Sequence, residues 1–387
     1  MQARPYQVEA IDAVDKQFRQ GVRRTIVSMP TGTGKTVLLV FLTHMAIQAG
    51  HRVLILVHTE ELIKQTYETL ATVGILPGVV KCEFDEFDRP VVIGQVQTVS
   101  RKARLGRIPK GWFDFVIVDE CHLANAQSWQ RVLRHFGQAW MVGLTATPFR
   151  GDKDSLAWAH FAGMKYANWQ SIAYVYDIKR AIREGHLAQP VVHEVLTGVN
   201  LDKVIVRTPH EGGVADFSSK GLESAIDTPA RNQAIVDAWL RIAPGIRTVA
   251  FCVTQKHALN LTNTFRRNGV ESYRVRHGMG DAQRNAVIAN HKAGRFDVLT
   301  NCTMLTHGYD DQTLGCVIMA RPTLSKPLFM QCVGRGMRPK EGMRCLVLAA
   351  VDTCTQHKIA IAHEVMELEG DMAQQTDRPL GVQVRST

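Results

Sequence analysis

No apolar run in this chain approaches the roughly 18 residues that a membrane-spanning helix requires; CLVLAAV at 345–351 is among the longest. A helical membrane span is therefore excluded. The opening MQARPYQVEA lacks the apolar core of a secretory signal, so the expected location is intracellular and cytoplasmic. Eight cysteines lie at 82, 121, 252, 302, 316, 332, 345 and 354 without one C-x-x-C pair. That spacing argues against a zinc ribbon and fits reduced thiols. A long basic tail is also missing, although the chain carries a formal net charge of +10. Dispersed positive charge, with a cluster at Arg101, Lys102, Arg104 and Arg107, attracts polyanions.

At 387 residues the chain is too long for one ordinary core and suits two domains. Over 1–150, apolar runs such as RTIVSM, RVLILVH, VVIGQV, FDFVIVDE and WMVGLTAT alternate with stretches of helical period. That alternation predicts an α/β domain with a parallel sheet covered on both faces, and functional loops at the carboxyl ends of its strands. The pattern weakens over 151–225, which reads as a linker or accessory element. There WQSIAYVYDIKRAIREGHLAQP suggests a helix ending near Gly185, VVHEVLTGVNL an extended piece, and TPHEGGVADFSSKG a mobile connection. Alternation resumes over 226–352 and predicts a second α/β domain, followed over 353–387 by a helix and a polar tail.

The stretch MPTGTGKT, residues 29–36, stands between an apolar strand and a helix-like run. A phosphate cradle needs inward-facing N–H groups with a helix N-terminus behind them. Thr31, Gly32, Thr33 and Gly34 supply the loop, Lys35 reaches β- and γ-phosphates, and the Thr36 hydroxyl suits Mg²⁺. The strict pattern would place Gly at 29, where this chain has Met. The strand FVIVDE ends in two carboxylates. Asp119 is expected to hold Mg²⁺, and Glu120 to orient and deprotonate an attacking water. His122, two residues on, has no second ligand at metal spacing and is expected to relay between sites.

Taken together, MPTGTGKT, VDECH and GLTATP (143–148) resemble the first RecA-like domain of superfamily 2 helicases, and are most similar to the bacterial RadD-type DECH-box DNA helicases. The resemblance covers about residues 3–352 and implies two tandem RecA-like domains closing on ATP. It implies that Gln7 and Arg4 in RPYQVEAI recognise adenine, and that Thr145 and Thr147 join His122 in coupling. VHTEELIKQ and GQVQTVSR fall where nucleic-acid contacts are expected, with Thr59 and Thr98 as candidates. In the second domain, QCVGRGMR fits Q-x-x-G-R-x-x-R and places Gln331, Arg335 and Arg338 at the nucleotide. Arginine suits that duty because its planar fork stabilises charge spread over phosphate oxygens. LTHGYDD supplies Gly308 and Asp310, which by resemblance join nucleotide to nucleic acid. Thr254, His277 and Thr306 are the expected backbone contacts of this half.

The implied activity is an ATP-dependent DNA helicase or translocase acting on forked or branched DNA. Two alternatives stand beside it. One is an RNA helicase of the DEAD-box type, whose D-E-A-D, P-T-R-E-L and H-R-x-G-R-x-x-R differ from DECH, HTEEL and QCVGRGMR here. The other is a nucleotide-gated clamp or restriction subunit working with partner proteins. RadD-type proteins also extend into a cysteine-rich tail that residues 353–387 do not resemble.

Overall fold

The computed structural model describes residues 2–146, 169–207, 216–306, 309, 311–338, 344–355 and 384–386. Two compact units divide the chain, the first holding Met1–Asp177 and the second Ile178–Thr208 with Ala215–Thr387.

The first unit opens with α1 (Pro5–Arg19), β1 (Arg24–Ser28), α2 (Lys35–Gln48), β2 (Val53–Val57) and α3 (Glu60–Ala71). It continues through β3 (Gly78–Lys81), β4 (Phe84–Asp85), β5 (Val91–Gln95) and the short α4 (Val96–Val99) and α5 (Lys102–Leu105). β6 (Phe115–Asp119), α6 (Gln127–His135), β7 (Trp140–Thr145) and β8 (Ser171–Val175) complete it. Strand order is β4-β3-β5-β2-β6-β7-β1-β8, parallel except for the β3–β4 hairpin. The apolar runs become the sheet centre because β2, β5, β6 and β7 are buried nearly throughout, as strands covered on both faces must be. Leu54, Val92, Val116 and Met141 form the core with Phe113, Trp129 and Phe136.

The second unit contains α7 (Ile178–Arg183), β9 (Pro190–Asn200), β10 (Val206–Arg207), β11 (Asp216–Phe217), α8 (Ser219–Ile226) and α9 (Pro229–Ile242). Then come β12 (Thr248–Phe251), α10 (Gln255–Arg267), β13 (Ser272–Val275), α11 (Asp281–Lys292) and β14 (Val298–Asn301). β15 (Cys316–Met319), α12 (Lys326–Val333), β16 (Cys345–Thr353) and β17 (Val384–Ser386) follow. Its sheet runs β13-β14-β12-β15-β16-β9-β17, with only β17 antiparallel. Trp239 of α9 and Phe265 of α10 meet edge-on at 5.5 Å beneath β12, and the Trp239 indole N–H donates to Thr248 Oγ1 at 2.7 Å. Arg231 and Asp352, both almost wholly buried, pair through Nε and Nη2 at 3.0 and 2.7 Å and tie α9 to β16.

The middle of the chain differs from the helix expected across 169–185. Ser171–Val175 is a strand, β8, pairing with β1, and α7 spans only Ile178–Arg183. Ile172, Tyr174 and Val175 favour an extended backbone, and pairing with β1 gives this edge strand one hydrogen-bonded side. VVHEVLTGVN is extended as expected and pairs with β16 through seven of its residues. The expected mobile stretch and C-terminal helix fall mostly on 208–215 and 356–383, outside the described residues. Among the described residues no helix is long and apolar enough to cross a membrane.

Candidate nucleotide and nucleic-acid sites

In the first unit three adjacent strand ends converge: β6, β7 and β1. β1 delivers Met29, whose N–H donates to the Thr145 carbonyl at the end of β7 at 2.9 Å. The chain then turns sharply, with Thr33 Oγ1 donating to the Pro30 carbonyl at 2.7 Å. Gly32 and Gly34 take φ of +90° and +83°, the left-handed region that side chains resist. Gly34 has a second reason to be glycine: a Cβ there would stand 2.7 Å from Gln7 Nε2. α2 starts at Lys35, so its first N–H groups open onto the turn. The Lys35 ammonium reaches back to the Met29 carbonyl at 3.2 Å, across the loop.

α1 braces this loop. Gln7 is buried, its Oε1 accepting the Arg4 N–H at 2.9 Å while Nε2 donates to the Gly34 carbonyl at 3.1 Å. The Tyr6 hydroxyl donates to the Thr33 carbonyl at 2.7 Å, and its ring lies parallel to Tyr176 at 4.1 Å. The structure thus brings Gln7 to the phosphate loop, and Arg4 meets it only through Gln7 and Tyr6. Tyr6 is a neighbour that sequence reading passed over, although it sits inside the quoted RPYQ.

At the end of β6, Glu120 adopts φ of +50°, a strained setting for a side chain, and its N–H donates to Asp119 Oδ1 at 3.0 Å. That reversal starts a 3₁₀ turn, Cys121–Leu123, which swings His122 back over the strand ends. His122 Nδ1 lies 3.2 Å from Glu120 Oε2 and 3.3 Å from Thr145 Oγ1. Thr145 therefore touches the phosphate loop through its carbonyl and the carboxylate pair through His122. Burial, then the Glu120 charge, push the Asp119 carboxyl up to about 7, with Lys35 opposing. Asp119 keeps partial exposure, so solvent takes up part of that penalty. His58, also within electrostatic reach of Glu120 and His122, is pushed down chiefly by burial and was not foreseen. Thr147 lies outside the described residues.

In the second unit Gln331 is buried on α12, and Arg335 follows the helix end. Arg335 Nε donates to the Thr306 carbonyl at 3.0 Å, Nη2 to the same oxygen, and Nη1 to the Tyr309 carbonyl at 3.0 Å. Its fork holds the carbonyls of Thr306 and Tyr309. Arg338 is partly buried, and desolvation lowers its pKa. Gly308 and Asp310 lie outside the described residues.

The five candidate nucleic-acid contacts divide into two kinds. Thr59 and Thr254 each follow a central strand and cap the next helix, accepting the Leu62 N–H at 3.2 Å and the His257 N–H at 3.1 Å. They occupy the same place in the two units. His277 is exposed just after β13. Thr98 and Thr306 are buried, with hydroxyls directed to Gln95 Oε1 and the Thr303 carbonyl at 3.2 and 2.8 Å. No group of three or more metal-ligating side chains occurs among the described residues.

Residues 1–150 match the family described as type III restriction enzyme, res subunit, and residues 230–340 match the helicase conserved C-terminal domain. A Saccharomyces cerevisiae protein described as the ATP-dependent helicase IRC3 is 30% identical over 87% of this chain and 49% of its own length. A Schizosaccharomyces pombe protein described as the mitochondrial ATP-dependent helicase irc3 is 30% identical over 91% and 58%. The DNA 3'-5' translocase XPB2 of Sulfurisphaera tokodaii is 25% identical over 90% of this chain and 81% of its own. Among solved structures, an HsdR-subunit fragment of a type I restriction enzyme from Vibrio vulnificus superposes with a TM-score of 0.66. Its identity is 24%, covering 89% of this chain and 63% of that one, so it speaks for the fold: two RecA-like α/β domains. The chain spans about half the length of the two yeast relatives.

Proposed function

We infer that this chain, a superfamily 2 helicase by its two domains, hydrolyses ATP to move along or remodel nucleic acid, with DNA preferred to RNA. One observation carries the reading. A phosphate loop, a lysine and an Asp–Glu pair meet at three neighbouring strand ends, joined through Thr145 and His122.

The donor set fits a triphosphate with magnesium. The glycine turn accepts an anion at a helix N-terminus, and a half-buried Asp119 whose charge is disfavoured calls for a cation. Thr36 and Asp119 would hold Mg²⁺, which neutralises phosphate charge when bound. Glu120 is the base: its carboxylate, positioned by His122, takes the proton of the attacking water. Gln7 and Arg4 read the adenine edge, for which Gln7 trades its loop carbonyls for base contacts. Arg338 supplies charge to the transferring phosphate, and Arg335 holds the Thr306 carbonyl.

The DNA preference rests on DECH and HTEEL in place of DEAD-box letters, on the net charge of +10, and on the relative described as a DNA translocase. Forked or branched DNA is the preferred form in this reading, and kinship with RadD-type proteins remains part of it. Contacts run to the backbone through Thr59, Thr254 and His277, so sequence preference is weak. Eight free cysteines fit a reducing compartment.

Turnover and nucleotide binding of two variants test the site. Lys35→Ala abolishes hydrolysis and weakens nucleotide binding, whereas Glu120→Gln binds nucleotide and stops turnover. Near-normal turnover in Glu120→Gln removes Glu120 from its role.

A further inference from the structure

The second sheet ends at β13, a strand hydrogen-bonded to β14 on one side only. Arginines surround it. Arg266 and Arg267 close α10 just before the strand, Arg274 lies within it, and Arg276 follows it, one residue short of His277. Against these four cations, residues 266–277 hold one carboxylate, Glu271, which accepts the Tyr273 hydroxyl at 3.1 Å. Lys292 and Arg295, at and beyond the end of α11, are exposed as well. Asp281, at the start of that helix, is paired with Arg284 at 3.0 Å.

Three of the arginines are held in place. Arg266 Nε donates to the Ser272 carbonyl at 2.8 Å, and its guanidinium carbon stands 5.0 Å from the centre of the Tyr273 ring. That ring in turn leans on the buried Phe296 at 4.6 Å. Arg267 Nη2 donates to Thr264 Oγ1 at 3.0 Å, and Arg274 Nη1 to the Gln255 carbonyl at 2.8 Å. A guanidinium carries five N–H donors, so one bond sets its direction and leaves several for a ligand. Arg266, Arg267 and Arg276 are exposed, and Arg274 is half-buried. Charge on an edge strand also keeps other strands from pairing with it, but either sign serves that purpose. The β4 edge of the first sheet shows the mixed form, with Asp85 between Arg104 at 3.2 Å and Arg107 at 2.6 Å. One sign around β13 is what a polyanion requires.

We propose that this edge is a second nucleic-acid surface, on which the phosphodiester backbone engaged at His277 continues past Arg276 and Arg274 toward Arg266 and Arg267. It rests on the nucleic-acid reading above and lies outside the residues assigned there. Four strand residues at roughly 3.3 Å each span about 13 Å, and a duplex carries a phosphate about every 3.4 Å along each strand, so several phosphates fit. Such contacts position a duplex without reading its bases.

The test is binding of duplex DNA across a series of salt concentrations by the unaltered chain, Arg274→Gln, Arg276→Gln and Lys220→Gln. Lys220 is an exposed lysine of the same unit, away from this edge in sequence and on a different helix, α8. Each arginine substitution lowers the steepness of log affinity against log salt by about one, and Lys220→Gln leaves it as it was. Arg276 is exposed beyond the strand, so Arg276→Gln reports even where Arg274→Gln, which gives up its bond to Gln255, does not fold. Affinity and steepness unchanged in Arg276→Gln overturn the surface and leave the edge to an acidic protein partner. An equal loss in Lys220→Gln overturns it too, because overall charge then suffices. An unaltered chain that binds no DNA overturns the motor reading itself, and shows this before any variant is made.

Discussion

Single residues here are strained or charged where chemistry requires it. The Asp119 carboxyl is raised from its ordinary 3.8 to about 7, first by burial and then by Glu120. A raised carboxyl value means that ionising Asp119 opposes folding. The penalty is absent below the ordinary value and complete above the raised one. Asp119→Asn, measured without nucleotide or metal, therefore raises the melting temperature more at mildly alkaline than at mildly acid pH. An equal shift at both would contradict the assignment. The two arginines after α12 separate in the same spirit. Arg338→Ala keeps the fold of the second unit and loses hydrolysis, by as much as the roughly 10³–10⁵-fold attributed to arginine fingers. Arg335→Ala, by contrast, frees the Thr306 and Tyr309 carbonyls, so it also loosens the backbone at those two residues. Faster hydrogen exchange there in Arg335→Ala, and not in Arg338→Ala, is the expected distinction.

At the scale of elements, helix starts carry two duties. Thr254 caps α10 and is a candidate phosphate contact, as Thr59 is for α3. Thr254→Ala costs about 1 kcal/mol of stability through the lost cap. Thr254→Ser keeps cap and hydroxyl, so it retains both stability and DNA affinity. Urea unfolding and a binding titration check the pair; weakened affinity in Thr254→Ser would remove the hydroxyl from the contact. The central strands were legible in the sequence because full burial demands unbroken apolar runs such as VLILV and FVIVD. The phosphate loop was legible because glycine spacing and a following Lys-Thr have a steric reason. β8 was not. Its residues are half-buried at a sheet edge, where neither period dominates, and its partner β1 lies far away in sequence. Nor could the letters show that Arg335 serves the Thr306 and Tyr309 carbonyls, or that Tyr6 braces Thr33. Those depend on which strand ends the topology sets side by side.

At the scale of the whole chain, the proposed cycle is shared between two α/β units, and a net charge of +10 suits a polyanion. Phosphate-directed binding releases counterions, so affinity falls steeply as salt rises. The central claim is that nucleic acid, and DNA above RNA, drives ATP turnover. The most direct measurement is the ATPase rate with single-stranded DNA, duplex DNA, forked DNA and RNA at one fixed salt concentration. The account predicts low turnover alone, strong stimulation by DNA with forked forms among the best, and weaker stimulation by RNA. Turnover raised by RNA duplexes and by no form of DNA would contradict it.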